Sequence, residues 1–289
     1  MNKREKSPKT NSTKKNSRVF NKMVEDIKKI KIQGARNIAK EALKAYSLIP
    51  TSQAKKTLLN SRPTEPMMEN VLDLADKYSY SKIINHFNKT QEKINQSVFL
   101  LIKRNSIIFT HCHSTNVVSA LIYAKKRGKN FEVYLTETRP LFQGRKTAKE
   151  LRKAGIKVTL FIDSAVSVAL SKNQDAKKAD IIFLGADALT SKGAINKIGS
   201  ATIACIAKQK KTPLYIVADS WKFTRKKIKI EQRALNEIWD KAPKNIKIKN
   251  PCFEFVDKKH LTGIITEFGV MKYGNFLRKI NKFNKMPLL

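Results

Sequence analysis

From residue 106 onward, short apolar, β-branched runs alternate with stretches of helical periodicity, and this alternation constrains the fold more than any other feature. Strand-like runs fall at 106–110, 131–136, 158–162, 181–185 and 214–218. Helical runs lie among them at 115–127, 147–154, 164–172 and 197–210. Strands joined through crossover helices pair in parallel, because the helix returns the chain to the same end of the sheet. The pattern predicts a mainly parallel, Rossmann-like sheet with helices on both faces, completed by a strand at 263–266 and a terminal helix from about Tyr273. No strand is followed by G-x-G-x-x-G, so the layout does not imply a dinucleotide. The sequence contains no internal repeat.

The first hundred residues have a different character. Val24, Ile27, Ile30, Ile38 and Ala42 recur at helical spacing, with an interruption around Gln33-Gly34-Ala35. Ser61-Arg62-Pro63-Thr64 reads as a turn. Pro66 can open a further helix towards Phe87, because proline suits a first helical position, and another helix is expected over 91–104. Residues 1–20, rich in Lys, Asn, Ser and Thr, read as a disordered basic tail. The expected organisation is therefore α/β: a tail over 1–20, an all-helical N-terminal domain over 21–104, and a Rossmann-like catalytic domain over 105–289.

The formal net charge is +36. Lysine far outweighs arginine, with Asn and Ile frequent beside it, the trio that AT-rich coding produces. The charge reads as compositional drift, with non-specific polyanion affinity as a side activity. Cys112, Cys205 and Cys252 are odd in number, far apart and without CxxC spacing, which fits reduced cytoplasmic thiols better than disulfides or structural zinc. The chain opens without the apolar core of a secretory signal, and no apolar run is long enough to span a bilayer. A cytoplasmic protein is expected.

Thr110-His111-Cys112-His113-Ser114 lies where a strand hands over to a helix, the place where ligands bind in open α/β sheets. Backbone N–H groups at a helix start favour negative charge. They would stabilise a Cys112 thiolate and attract an anionic substrate through the first turn at Ser114, Thr115 and Asn116. Asp187 ends another buried run, and parallel strands would put it on the same sheet edge. Apolar walls raise a carboxyl pKa, which suits a proton donor, although Asp187 could equally cap the next turn. Lys197 reads as the start of a helix and, with Lys222 and Arg62, as a possible phosphate cation. His111 and His113 read as residues that orient the loop.

Six segments, in order, resemble one known family: Thr110-His111-Cys112-His113-Ser114, Thr136-Glu137-Thr138-Arg139-Pro140, Gln143-Gly144-Arg145 with Thr147-Ala148-Lys149-Glu150-Leu151, Gly185-Ala186-Asp187, Asn196-Lys197-Ile198-Gly199 and Ile265-Thr266-Glu267. They look like the archaeal ribose-1,5-bisphosphate isomerases. Those enzymes belong with methylthioribose-1-phosphate isomerases and the regulatory alpha, beta and delta subunits of initiation factor 2B. The resemblance implies conversion of ribose 1,5-bisphosphate to ribulose 1,5-bisphosphate in AMP salvage, with Cys112 as base and Asp187 as acid. It implies substrate binding by Gln33, Gly34, Ala35, Arg36, Arg62, Ser114, Thr115, Asn116, Asn196, Lys197 and Lys222. It further implies no metal or other cofactor, a homo-oligomer (dimer or hexamer) and a possible nucleotide activator. Two departures stand out: the usual Arg-Gly-Ala-Gly loop is Gln33-Gly34-Ala35-Arg36 here, and the loop before Asn196 is one residue shorter than the usual form. A non-catalytic regulatory subunit and a methylthioribose-1-phosphate isomerase are the alternatives.

Overall fold

A computed structural model describes residues 8–63, 65–172, 177–228, 230 and 232–282. Expectations for 1–7, Thr64 and 283–289 lie outside them. The chain forms two compact units that divide between Asn85 and His86. The first contains α1 (Pro8–Lys28), α2 (Ala35–Leu48), α3 (Ser52–Ser61), α4 (Pro66–Ala75) and the start of α5 (Tyr80–Leu101). Its helices are held by buried stripes at helical spacing: Phe20, Met23 and Ile27 on α1, Ile38, Ala42 and Leu43 on α2, and Met67, Val71 and Leu72 on α4. α1 begins at Pro8, inside the stretch whose composition reads as disordered. The buried residues nearer its C-terminal end give that polar sequence a helix to extend.

The second unit carries a seven-stranded sheet. Its strands are β1 (Ser106–Thr110), β2 (Phe131–Thr136), β3 (Lys157–Phe161), β4 (Ile181–Leu184), β7 (Leu214–Val217), β9 (Gly263–Thr266) and β10 (Gly269–Met271). They lie in the order β10-β9-β7-β4-β1-β2-β3, all parallel except β10. Alternate side chains separate two cores. Ile107, Phe109, Ile182 and Ile216 pack with residues of α8 (Val166–Ala169), α9 (Ser200–Gln209) and α10 (Tyr273–Lys282). Ile108, Val133, Phe183 and Val217 pack with residues of α5, α6 (Thr115–Lys126) and α7 (Gln143–Lys153). Helices thus cover both faces, as the near-continuous apolar strands require.

Three expectations change. The helices expected over 66–87 and 91–104 are instead the short α4 and one long α5. The compact units divide inside α5 and not near residue 104, because Ile94 and Val98 commit most of that helix to the sheet. Lys197 does not begin a helix. It ends β6 (Gly193–Lys197), which pairs antiparallel with β5 (Ala188–Leu189) and β8 (Phe253–Asp257) in a small second sheet. A Cβ on Gly193 would lie 2.1 Å from the Val256 carbonyl oxygen, so this pairing needs glycine there. α9 starts only after Gly199, whose φ of 101° suits glycine.

No helix among the described residues is long and apolar enough to cross a membrane. The chain runs outward from β1 through β2 and β3, then returns to β4 on the other side of β1. β1 and β4 therefore flank the switch point of the sheet, and a crevice opens at such a point beyond the carboxyl ends of the strands.

Candidate active site

Cys112 follows β1 and Asp187 follows β4, neighbouring parallel strands paired at Ile108–Ile181 and Phe109–Ile182. Both residues therefore emerge at the carboxyl edge on either side of the switch point. Cys112 has a left-handed backbone, φ 65°, as does Thr138 at φ 62°. A β-branched residue adopts that region at a cost, and such strain persists where surrounding bonds over-determine it. Here the Cys112 N–H donates to Thr138 Oγ1 at 3.0 Å, and Thr138 and Arg139 N–H groups donate to the Asp163 carboxylate at 2.8 and 2.6 Å. On the other side of the Cys112 peptide, Thr147 Oγ1 donates to its carbonyl at 2.8 Å and His113 Nδ1 donates to Thr147 Oγ1 at 3.0 Å.

His111 is buried. Its Nε2 donates to the Ile198 carbonyl at 2.9 Å and its Nδ1 accepts from the Thr136 hydroxyl. Burial pushes its pKa down, consistent with a neutral ring that carries one proton to a carbonyl. Burial and Lys146 also lower His113. Both histidines therefore orient the loop, as their positions suggest.

Lys197, at the end of β6, is buried, and its Nζ lies 3.3 Å from Cys252 Sγ. Burial disfavours its charge, but the pull of Cys112, Cys252 and Asp187 outweighs this and raises its pKa. Burial pushes the Cys112 thiol up to about 12; Lys197 opposes that rise and Asp187 adds to it. The placement of Cys112 before a helix therefore does not make it a resting thiolate. Desolvation is the largest influence on the thiol, and Lys197 is the cation that counters it.

The remaining expected residues divide by location. Ser114 caps α6 through the Val117 N–H at 3.5 Å, and Thr115 opens that helix. A Cβ on Gly185 would meet Ser114 Cβ and Oγ at 2.6 Å, so the approach of β4 to this cap requires glycine. Asn116 is buried: its Nδ2 donates to Gln91 Oε1 at 2.9 Å and its Oδ1 accepts from Lys222 Nζ at 3.4 Å. Lys222 Nζ also donates to the carbonyl of Ala186, next to Asp187, at 2.6 Å. Asn196 Nδ2 donates to Ser200 Oγ at 2.8 Å, which braces the turn into α9. Gln33, Gly34, Ala35, Arg36 and Arg62 lie in the first unit. Gly34 caps α2 at φ 86°, Ala35 and Arg36 begin that helix, and Arg62 follows α3 and donates to Glu65 at 3.1 Å.

Two groups escaped the reading of the sequence. Cys252 precedes β8 and meets Lys197 through a strand pairing with no local signature. His86, Asp219 and Glu267 have ligand atoms within 4.8 Å of one another, a spacing that could hold a metal ion. Each has other work: His86 stacks on Trp221 with centroids 3.7 Å apart, the Trp221 N–H donates to Asp219 at 2.9 Å, and the Ser220 N–H and hydroxyl donate to Glu267. Burial, with Asp219 beside it, pushes Glu267 up to about 7.

The chain is similar to proteins of known name and fold. A protein of Archaeoglobus fulgidus named ribose 1,5-bisphosphate isomerase is 33% identical over 283 residues, covering 86% of this chain and 88% of that one. Its namesake from Methanocaldococcus jannaschii is 34% identical, covering 88% and 91%. The fold is shared with the crystal structure of Pyrococcus horikoshii translation initiation factor eIF-2B, at a TM-score of 0.76 and 24% identity over 88% of this chain and 96% of that one. The profile of the initiation factor 2 subunit family (IF-2B) matches residues 9–273. The chain belongs to the initiation factor 2 subunit family.

Proposed function

We propose that the chain is an aldose–ketose isomerase that converts ribose 1,5-bisphosphate to ribulose 1,5-bisphosphate, with Cys112 as base and Asp187 as acid. The observation that carries this reading is the placement of Cys112 and Asp187 at neighbouring strand ends across the switch point, with Lys197 electrostatically engaged with both. The two isomerases of the same family support the substrate.

Phosphate on C1 blocks a free aldehyde, so ring opening and proton transfer must be joined. Cys112 Sγ, as thiolate, takes the hydrogen of C2 as a proton. The electron pair left behind forms the C1–C2 double bond as the bond from C1 to the ring oxygen breaks. That oxygen takes the proton of the Asp187 carboxyl. The enol then becomes a ketone: its C2 hydroxyl returns a proton to Asp187, and the Cys112 thiol delivers one to C1. Both side chains finish as they began. Lys197 stabilises the thiolate that starts the cycle, and Lys222 and the first turn of α6 supply polar groups near the phosphates. Arg62 and the Gln33–Arg36 loop are assigned to phosphate binding on the same reading, within AMP salvage in the cytoplasm, by a homo-oligomer open to nucleotide activation.

Incubating the purified protein with ribose 1,5-bisphosphate and following ribulose 1,5-bisphosphate tests the proposal. Asp187→Asn is expected to lower kcat by about 100-fold or more, the scale of one general acid. Binding without turnover would instead return the non-catalytic regulatory subunit. The pH profile is a second check. A thiol raised to about 12 is protonated at neutral pH, and its thiolate fraction grows about tenfold per pH unit below that value. Turnover also needs the Asp187 proton, which is lost as pH rises, so kcat/KM of the unmodified protein should climb only while Asp187 stays protonated and level off above that. In Asp187→Asn, where no acid titrates, the residual activity should climb with the thiolate fraction, and a flat profile in that variant would exclude Cys112 as the base.

A further inference from the structure

Cys252 takes no part in the steps above, yet it is buried and held against the site from two directions. Its Sγ accepts from Lys197 Nζ at 3.3 Å. Its carbonyl accepts from the Ile198 N–H at 3.2 Å, and the Ile198 carbonyl accepts from His111 Nε2 at 2.9 Å, next to Cys112. The pairing of Lys197 with Phe253 fixes this arrangement, because Cys252 immediately precedes Phe253. One buried ammonium is thus bonded to the Cys252 thiol and acts electrostatically on Cys112. It can be a close partner to only one thiolate at a time, and a second negative charge nearby disfavours the first.

We propose that Cys252 is a positioning residue: by sharing the Lys197 ammonium with Cys112, it sets how readily Cys112 gives up its proton. The consequence for turnover rests on the isomerase reading, whereas the effect on the Cys112 thiol needs no substrate. The groups that face Cys112 come from several elements. Lys197 at the end of β6 favours the thiolate; Asp187 after β4 and Cys252 before β8 oppose it. His111 and His113, on its own segment, are held towards their neutral forms by burial. Removal of the Cys252 thiol frees Lys197 for Cys112 and removes one opposing charge, so the Cys112 thiolate should form at lower pH.

The test is the rate of Cys112 alkylation by iodoacetamide against pH in the full chain, read peptide by peptide by mass spectrometry so that exposed Cys205 does not interfere. In Cys252→Ala the midpoint should fall by about one pH unit, or ~tenfold faster alkylation at a fixed pH below it. Cys252→Ser, which keeps an acceptor for Lys197 Nζ without the ionisable thiol, should fall by less. It preserves the test if the alanine variant does not fold. In a Lys197→Gln background the shift should shrink, because only the loss of the opposing charge remains once the shared cation is gone. An unchanged midpoint in the folded variants, or a shift of equal size without Lys197, would overturn the proposal. With ribose 1,5-bisphosphate, kcat should rise in step with the alkylation rate while KM holds. Absence of turnover by the unmodified protein would sink the isomerase reading and leave the alkylation result to be judged separately.

Discussion

Cys112→Ser is expected to lower kcat on ribose 1,5-bisphosphate by about 1,000-fold or more, with little change in thermal stability. A serine hydroxyl has nearly the shape of the thiol, and the bonds that hold this turn go to the Cys112 backbone: its N–H to Thr138, its carbonyl from Thr147. The fold of the turn should survive. The chemistry should not, because a hydroxyl ionises much less readily than a thiol and Lys197 cannot make up the difference. General-base catalysis contributes roughly 100- to 10,000-fold, and loss of the base should remove most of it. The measurement is steady-state turnover at several pH values alongside a melting curve. A serine variant that retained a tenth or more of the activity would rule out the proposed role.

The largest expected structural effect is at Gly144. A Cβ there would lie 1.9 Å from the Thr136 carbonyl oxygen and 2.9 Å from the Glu137 carbonyl carbon, both backbone atoms that no rotamer change can move. The Gly144 N–H donates to the Glu137 carbonyl at 3.1 Å, so the N-terminus of α7 rests directly on the end of β2. Gly144→Ala must lift α7 off that strand. Overpacking of this kind costs about 3 kcal/mol, seen as a Tm lower by roughly 10 °C in a unit of this size. Activity should fall beyond what stability explains, because α7 delivers Thr147 to the Cys112 carbonyl and to His113. Circular dichroism melting and turnover below the transition measure the two effects. A variant that melts with the unmodified protein would show that α7 can yield without cost.

The strands were legible because buried parallel strands are nearly continuous apolar runs. Ser106–Thr110, Phe131–Thr136 and Gly263–Thr266 occur where the pattern puts them; β3 shifts by one residue towards the N-terminus, and β4 and β7 each end one residue early. Cys112 and Asp187 were legible for the same reason, since a residue that follows an apolar run lies at a strand end. β6 was not legible. Its polar Asn196 and Lys197 precede an apolar helix, and only pairing with β8, far along the chain, makes the segment a strand. α5 was read as two pieces because its apolar stripe serves the sheet, a partner that local periodicity cannot reveal.

The sequence by itself determined the layers of the fold and named the two residues proposed to move protons, because hydrophobic period and strand-end position are local properties. Only the tertiary structure decided how Cys112 is poised. Its pKa is set by burial against the pull of Lys197, and that lysine arrives from a second sheet together with Cys252. Desolvation and charge act through space, so the balance between them exists only once distant segments have come together.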